Sequence, residues 1–464
     1  MRLLIVGLDC AAPELLFGNP RLPTIARLMA TGCYGRLTSI IPPITVPAWM
    51  CLSTGQDPGS LGVYGFRNRR DYSYDSLAIA NARSFDADTI WDHLPGGRQT
   101  VAIVGVPPSY PPSRVNGVRI GCFLTPDTRQ VFTYPSEVGD EIRALVGEYP
   151  VDVEGFRTDD KRRLLDEIYA MSRKHFQVIR HLLRKQRWDY FHFVEIGLDR
   201  IQHGFWQYHD SLHRHYEGRD SEYANVVRDY YVYLDEEIAS VLALVPDDTA
   251  VLVVSDHGAQ RLDGGFCVNE WLVREGLLAL SSRPSVPTPF NRLDIDWDRT
   301  TAWSEGGYYA RIFLNVKGRE PRGRIARDDY ARVRDDIQQR LEATVDDDGR
   351  RMGTLVFRPE AIYRRVRNIA PDLIVHFGGL YWRSIGGVGY DAIHVQENDT
   401  GPDACNHAQD GAFVLSAPEL AVRGEIEGAH LLDIAPTLLD LIGGEPTRSM
   451  EGRVLTRLGT AMVG

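Results

Sequence analysis

The stretch AVLVVSDHG, residues 250–258, joins an apolar run to an acid, an imidazole and a glycine. An unbroken run such as Ala250–Val254 is typical of a strand that is buried on both faces of a parallel sheet. Other runs rich in leucine and β-branched residues predict further strands of this kind: Leu3–Leu8, Thr100–Val104, Tyr190–Val194, Leu373–Phe377 and Ala412–Leu415. The sequence therefore predicts a mostly parallel central sheet.

Segments with helical periodicity lie between these runs, for example Arg162–Lys185 and Tyr223–Leu244. Alternating strands and helices predict the α/β class, with helices flanking the sheet. The 464 residues suffice for about three domains, or for one large α/β domain with insertions. We predict a core that two Pro-rich insertions interrupt and cover as a cap. The core comprises 1–106, 161–280 and 371–464, and the insertions comprise 107–160 and 281–370.

Acidic residues directly follow three of the predicted strands. They are Asp9, Glu195 with nearby Asp199, and Asp256. In open parallel sheets ligands bind outside the carboxyl ends of the strands, so we expect these carboxylates to lie near one site. Asp256 and His257 together offer oxygen and nitrogen donors to a metal ion. A capping aspartate beside a surface histidine would give the same pattern.

Two more segments carry potential metal ligands. Asp199 and His203 are four residues apart, so a helix would place both side chains on one face, within reach of a shared cation. His407, in the segment 406–411, can supply another imidazole. A helix-start acid and buried structural histidines are the alternative interpretation.

Thr45 lies in the segment PPITVPAW, residues 42–49. We predict that Thr45 is the N-cap of a helix, with Pro47 in the first turn, where its missing N–H costs nothing. The backbone N–H groups and the dipole at a helix start favour an anion such as phosphate. A threonine that only caps the helix is the alternative.

The order of these elements resembles the alkaline phosphatase superfamily, specifically its type I phosphodiesterase and nucleotide pyrophosphatase branch. The matching positions span nearly the whole chain: Asp9, Thr45, Asp199, His203, Asp256, His257 and His407. The resemblance implies an alkaline-phosphatase-like core. It also implies hydrolysis of a small phosphate ester, nucleotides included.

The resemblance further implies two divalent ions in each chain. The ligands divide into Asp9, Asp256, His257 and the Thr45 oxygen for one ion, and Asp199, His203 and His407 for the other. Thr45 would be the nucleophile and form a phosphothreonine intermediate, because coordination to a cation lowers the pKa of a hydroxyl. The mixed oxygen and nitrogen donors favour Zn²⁺, with Mn²⁺ as the alternative.

The substrate-binding residues depart from the family pattern. Nucleotide pyrophosphatases carry an asparagine beyond the nucleophile that hydrogen-bonds the phosphate, whereas Phe66 lies near that place here. Arg67 or Asn68 is the expected substitute, since a guanidinium pairs well with phosphate oxygens. Trp49 is a candidate for stacking on the substrate. Ser304–Arg311, with its glycines, is either a phosphate-facing lid or a plain hairpin turn.

Several other functions are compatible with the same residues. A phosphomonoesterase, or a phosphomutase acting on a sugar phosphate, would also use Thr45. A non-catalytic, metal-stabilised nucleotide-binding module is a third alternative. A sulfatase is excluded, because the segment from Cys51 lacks the Cys/Ser-x-Pro-x-Arg frame.

Composition limits the partners and the compartment. The 52 basic and 63 acidic residues give a net charge of −11, which argues against polymeric nucleic acid as a partner. No apolar run approaches the roughly 20 residues of a membrane helix, and we expect no membrane partner. The six cysteines form no CxxC pair, and the first residues do not resemble a signal peptide. We therefore expect a cytoplasmic protein, and the oligomeric state is not predicted.

Overall fold

The computed structural model describes residues 1–457 except residues 96, 98 and 419. Strands and helices alternate in this part of the chain, which confirms the α/β class. The strands are β1 (Arg2–Leu8), β2 (Cys33–Thr38), β3 (Arg67–Arg69), β4 (Leu77–Ile79), β5 (Val101–Val104), β6 (Gly117–Ile120), β7 (Thr133–Tyr134), β8 (Tyr190–Glu195), β9 (Thr249–Val254), β10 (Gly258–Arg261), β11 (Gly264–Cys267), β12 (Ala302–Glu305), β13 (Ala310–Leu314), β14 (Leu355–Phe357), β15 (Leu373–His376), β16 (Trp382–Ile385), β17 (His394–Val395), β18 (Cys405–Ala408), β19 (Asp410–Ser416), β20 (Gly424–Glu425) and β21 (Ala429–His430).

The helices flank these strands. The α-helices are α1 (Pro13–Leu16), α2 (Pro23–Thr31), α3 (Thr45–Thr54), α4 (Pro58–Leu61), α5 (Glu137–Val146), α6 (Lys161–Lys185), α7 (Gly197–His209), α8 (Val226–Leu242), α9 (Val268–Arg274), α10 (Tyr330–Glu342), α11 (Pro359–Ile362) and α12 (Ile434–Leu441). Short 3₁₀ turns occur at Ile90–Asp92, Phe290–Arg292, Arg327–Asp329, Phe377–Leu380, Leu431–Asp433 and Leu455–Arg457. Among the described residues, no helix combines the length and apolar character that crossing a bilayer requires.

Within the described residues, ten strands form the central sheet, in the order β20-β2-β19-β9-β1-β8-β5-β6-β7, with β21 also paired to β2. The central strands β9, β1, β8 and β5 run parallel to one another. Strand β19, between β2 and β9, and the edge strand β7 run antiparallel to their neighbours. The predicted mostly parallel sheet is therefore confirmed.

The register of the central strands brings the acidic residues to one edge of the sheet. Leu8 lies opposite Glu195, and Gly7 lies opposite Val254. Asp9 and Asp256 consequently leave the sheet side by side, at the edge where parallel sheets bind ligands.

Both faces of the sheet are covered, which explains the unbroken apolar runs. Leu4 and Val6 of β1 pack in a core with α6, α7 and α8, whereas Leu3 and Ile5 pack in a core with α3 and α12. Since successive side chains of a strand point to opposite faces, a strand between two helical layers must be apolar at every position.

The segment 107–160 is more than the cap that the sequence predicted. Its strands β6 and β7 extend the central sheet beside β5. This pairing satisfies backbone groups of β5 that would otherwise form an open edge. A later part of the segment does line the cavity described below.

The segment 281–370 forms a separate layer that continues beyond residue 370. It contributes to a four-stranded sheet in the order β12-β13-β15-β14. The predicted core strand at Leu373 is β15, which pairs antiparallel with β13 and β14 in this second sheet. An apolar run does not distinguish the two sheets, because β15 is buried in a core of its own. Of the predicted core segments, residues 96, 98, 419 and 458–464 lie outside the described residues.

Candidate active site

Asp9, Asp256 and His257 lie together beyond the ends of β1 and β9, and all three are fully buried. The His257 Nε2 atom lies 3.8 Å from Asp9 Oδ1 and 3.2 Å from Asp256 Oδ2. One potential ligand atom from each residue lies within 4.8 Å of the other two. A single metal ion can contact all three atoms at this spacing.

A second group comprises Asp199, His203 and His407. Helix α7 places Asp199 and His203 on one face, with 3.3 Å between Asp199 Oδ1 and His203 Nε2. Strand β18 carries His407, whose Nε2 atom lies 3.8 Å from Asp199 Oδ1 and 3.4 Å from His203 Nε2. The rings of His257 and His407 stack with 3.8 Å between their centroids, so the two groups are adjacent.

Glu195 takes a different place from the other acids at the strand ends. Its carboxylate accepts hydrogen bonds of 2.9 Å from the N–H groups of Gly197 and Leu198. The hydroxyls of Ser172 and Tyr230 donate to it as well. Glu195 therefore anchors the start of α7 instead of joining either group.

Three buried carboxylate oxygens have no hydrogen-bond partner among the described residues: Asp9 Oδ1, Asp199 Oδ1 and Asp256 Oδ2. An unpaired buried oxygen of this kind is costly. Each of the three lies within 3.8 Å of a histidine Nε2 atom. Oxygen and nitrogen donors that converge without partners fit divalent metal ions.

The hydrogen bonds of the histidines orient their Nε2 atoms towards these oxygens. The Nδ1 atom of His257 lies 3.2 Å from the Gly258 carbonyl, and that of His407 lies 2.8 Å from the Pro43 carbonyl. The Nδ1 atom of His203 lies 2.6 Å from Asp403 Oδ1. Because each partner only accepts, the Nδ1–H of each ring donates to it, and Nε2 is the ring atom that faces the carboxylates.

Burial and charge affect the carboxylates differently. Burial and then the charge of Asp9 raise the pKa of Asp256 well above its ordinary value. Burial and then Asp199 do the same to the pKa of Asp9. Burial also opposes ionisation of Asp199, but His203 and Arg200 outweigh it and lower the pKa of Asp199 well below its ordinary value. The first group therefore lacks the compensating cation that the second group has.

The imidazoles divide in the same way. Burial lowers the pKa of His257 to about 4, and burial with the neighbouring His257 lowers the pKa of His407 well below its ordinary value. Burial opposes the charge of His203 too, but Asp403, Cys405 and Tyr308 raise its pKa well above the ordinary value. His257 and His407 are thus neutral near pH 7. His203 instead keeps protons on both ring nitrogens and is positively charged, as long as no metal ion displaces the proton from Nε2.

Thr45 begins helix α3 but does not cap it. The N-cap is Ile44, and no side chain caps the helix, so the predicted capping role was wrong. The Thr45 hydroxyl instead lies 3.3 Å from His257 Nε2. The hydroxyl is therefore directed at the first ligand group, at the end of the helix that favours anions.

Trp49 is placed behind Asp9 and away from the cavity, which corrects its expected stacking role. The residue is fully buried, and its indole Nε1–H donates a 2.8 Å hydrogen bond to Asp9 Oδ2. Gly7 permits this approach, since a Cβ atom there would lie 2.6 Å from the indole ring. Trp49 thus orients the first carboxylate and does not line the cavity.

A cavity of about 690 Å³ opens onto Thr45, Asp199 and His407. Arg67 lines it and makes no ion pair within the described part of the chain, so it is available to an anion. Asn68 does not line the cavity. Its amide oxygen accepts from the Tyr64 N–H, and its amide nitrogen donates to the Gly65 carbonyl. The structure therefore brings Arg67 to the cavity and uses Asn68 to close a turn.

The stretch Ser304–Arg311 is a hairpin that also forms a wall of this cavity. Strands β12 and β13 pair across it, and the glycines at 306 and 307 line the cavity. Arg311 is mostly buried and donates to the Arg67 carbonyl, and it also lines the cavity. The ring of Tyr308 stacks on His407 with 4.4 Å between centroids. The second insertion thus contributes an aromatic contact to the second ligand group.

Sequence reasoning missed several residues around this group. Asp403 bonds His203 across 200 positions of sequence, Arg157 comes from the first insertion, and Arg383 lies on β16. Asp403 stands four residues before His407, but no motif marks it in the sequence. Their proximity arises from the tertiary fold, so no local signal could have identified them.

Solved structures share this fold at low sequence identity. The murine ectonucleotide pyrophosphatase / phosphodiesterase 5 is 13% identical, with a TM-score of 0.54 and 96% of each chain covered. An inactive variant of that murine protein in complex with AMP is 12% identical, with a TM-score of 0.56 and the same coverage. Phosphonoacetate hydrolase from Sinorhizobium meliloti in complex with phosphonoformate is 16% identical, with a TM-score of 0.59 and 94% of each chain covered.

The sequence itself gives the family. No curated protein matches the chain. Residues 3–403 match the family described as type I phosphodiesterase / nucleotide pyrophosphatase. This match covers both ligand groups except His407, and it favours an enzyme over a non-catalytic binding module. The chain therefore belongs to the type I phosphodiesterase and nucleotide pyrophosphatase family of the alkaline phosphatase superfamily, and it is a metal-dependent phosphoric ester hydrolase.

Proposed function

We propose that this enzyme cleaves small phosphodiesters or nucleotide pyrophosphates with two divalent ions, through a covalent intermediate on Thr45. The observation that carries the proposal is the convergence of three unpartnered carboxylate oxygens and three Nε2 atoms beside one hydroxyl. A structural role for these groups would not require their lone pairs to face one another without partners.

The proposed ligands form the two groups of the site: Asp9, Asp256 and His257 with the Thr45 oxygen, and Asp199, His203 and His407. Zn²⁺ is the favoured ion, with Mn²⁺ as the alternative, since both accept imidazole and carboxylate ligands. When bound, such ions lower the pKa of a coordinated hydroxyl or water and neutralise charge on the phosphoryl oxygens.

Thr45 is the proposed nucleophile in an in-line displacement. Its Oγ1 atom forms the new bond to phosphorus while the bond to the leaving oxygen breaks on the opposite side. A water oxygen then bonds to phosphorus while the bond between phosphorus and Thr45 Oγ1 breaks, which restores the hydroxyl and releases the phosphoryl product. The N-terminus of α3 and the guanidinium of Arg67 stabilise the phosphoryl anion during both steps.

The size of the cavity favours a diester or a pyrophosphate over a phosphate monoester. A volume of about 690 Å³ leaves room for a second ester group beyond the phosphate. Its aromatic side chains include Phe66, Phe123 and Phe290, which offer apolar contact to such a group. The proposed location of the enzyme is the cytoplasm, since all six cysteines are free thiols.

A substrate screen tests this function. We expect the zinc-loaded enzyme to cleave bis(p-nitrophenyl) phosphate, a dinucleotide or a nucleotide sugar at least about tenfold faster than p-nitrophenyl phosphate. Sugar phosphates are included, with phosphate release and isomerisation both monitored. Cleavage of monoesters only would indicate a phosphomonoesterase. Isomerisation without phosphate release would indicate a phosphomutase, and either result would contradict the proposal.

Ion affinity should rise with pH. The pKa values of Asp9, Asp256 and His203 are raised, so these groups hold protons that an entering ion must displace. Each displaced proton strengthens binding by about tenfold per pH unit until the pH exceeds the raised pKa. His257 does not contribute above about pH 4, because burial already keeps it neutral.

Competition with a chelator of known affinity at about pH 6 and about pH 8 measures this dependence. Calorimetry in buffers of different ionisation enthalpy counts the released protons. Equal affinity at both pH values, with no proton release, would contradict the prediction.

A further inference from the structure

Asp403 lies directly behind the second ligand group. Its side chain is fully buried. One carboxylate oxygen, Oδ1, lies 2.6 Å from His203 Nδ1, and the other, Oδ2, lies 2.8 Å from Arg157 Nε and 3.4 Å from Arg383 Nη1. Asp403 therefore connects one imidazole of the site with two guanidinium groups that line the cavity.

This contact determines which nitrogen of His203 is free. A carboxylate is a strong acceptor, so the Nδ1–H of His203 donates to Asp403 and leaves Nε2 towards Asp199 and His407. The Cys405 thiol is the other neighbour of Nδ1, at 3.5 Å, and a thiol is the weaker acceptor. Asp403 is therefore the stronger of the two acceptors at Nδ1 of His203.

The two arginines compensate the charge of Asp403. A lone buried carboxylate would be costly, whereas two guanidinium groups share this one. Arg157 also donates to the hydroxyl of Tyr308, whose ring stacks on His407. The arrangement combines residues from four separate segments of the chain: Arg157, Tyr308, Arg383 and Asp403. Asp403 accepts the hydrogen bond of His203, and Tyr308 packs against the ring of His407.

We propose that Asp403 is a positioning residue, which fixes His203 as an Nε2 metal ligand and thereby sets the affinity of the second ion. This inference rests on the proposed two-ion function. It adds a residue that contacts neither substrate nor ion and acts through His203. Outer carboxylates of this kind typically contribute about 10- to 100-fold in metal affinity.

The test compares Asp403→Asn with the matched control Asp372→Asn. Asp372 is also a buried carboxylate bound by an arginine, through two hydrogen bonds from Arg319, but it lies directly before β15 of the second sheet and does not line the cavity. Zn²⁺ affinity is measured for both ions by chelator competition. For Asp403→Asn we expect one of the two ions to bind about 10- to 100-fold more weakly, with the other unchanged. For Asp372→Asn we expect both affinities to match the wild type, and unchanged affinities in Asp403→Asn as well would overturn the proposal.

A second measurement does not depend on the folding of the Asp403 variant or on metal binding. In the metal-free wild-type protein labelled with ¹⁵N-histidine, we expect a strongly downfield Nδ1–H proton resonance, assigned to His203 by its absence in His203→Gln. If His203 carries no hydrogen-bonded proton on Nδ1, the proposal is overturned. If that resonance is present but the wild type binds fewer than two ions, the proposed function fails while the contact of Asp403 with His203 stands.

Discussion

Thr45→Ala should lose about 10⁴- to 10⁶-fold in kcat, because removing a covalent nucleophile costs roughly this much in hydrolases. Thr45 is buried, and among the described residues the side chain of His257 is the hydrogen-bond partner of its hydroxyl. Loss of the hydroxyl should therefore leave the fold intact. Hydrolysis of bis(p-nitrophenyl) phosphate by the zinc-loaded protein measures the effect, with the melting temperature as a check on folding.

The matched control for this variant is Thr45→Ser, which keeps the hydroxyl and removes only a methyl group. We expect it to retain most of the activity, and the covalent phosphoenzyme that it forms should be detectable by mass spectrometry after acid quenching. If Thr45→Ala retained activity within tenfold of the wild type, the covalent route would be wrong.

Asp256→Asn should lower activity by about 10²- to 10³-fold or more, since it removes one charged ligand at the reacting phosphate. It should also change stability in opposite directions with and without metal. In the metal-free protein, burial and Asp9 disfavour the ionised Asp256, so the substitution should raise the melting temperature. In the wild type, a free metal ion at a concentration of a hundred times its Kd should add about 2.7 kcal/mol to the free energy of unfolding. The variant should lose much of this stabilisation.

Thermal unfolding with excess Zn²⁺ and with excess chelator tests both directions at one pH. Asp433→Asn offers a comparison, since Asp433 is a buried carboxylate that accepts backbone N–H bonds and does not line the cavity. Its loss should destabilise the protein equally with and without metal. A metal-free Asp256→Asn protein that melts below the metal-free wild type would contradict the proposed role of unpaired buried charge.

The strands and the positions of the strand-end acids were predictable because they follow from local patterns. The apolar run Ala250–Val254 and the acid after it predicted both a central strand and its functional edge. The spacing of Asp199 and His203 predicted one helical face, and α7 contains both. By contrast, the assignment of His407 depended on family resemblance, since a lone histidine carries no pattern.

Other features were not predictable because they depend on the tertiary structure. Trp49 was expected to contact substrate, but its N–H satisfies Asp9, a pairing across 40 residues that no helical periodicity encodes. The run at Leu373 predicted a strand correctly but not its sheet, because burial on both faces occurs in two cores of this fold. Threonine is a common N-cap residue, so the sequence suggested a capping role for Thr45. Only the position of His257 in the fold shows where its hydroxyl points.

The hydrogen bond between His407 and the Pro43 carbonyl joins an early and a late part of the chain, so it forms only near the end of synthesis. Strand β19, which directly follows the His407 strand, inserts between β2 and β9 in the middle of the central sheet. A ribosome-bound chain that has not yet emerged as far as β18 therefore has a gap in its sheet and lacks one imidazole. At about 5–20 residues per second, roughly 20 to 70 s separate the synthesis of Thr45 from that of His407, and the two ligand groups are incomplete until then.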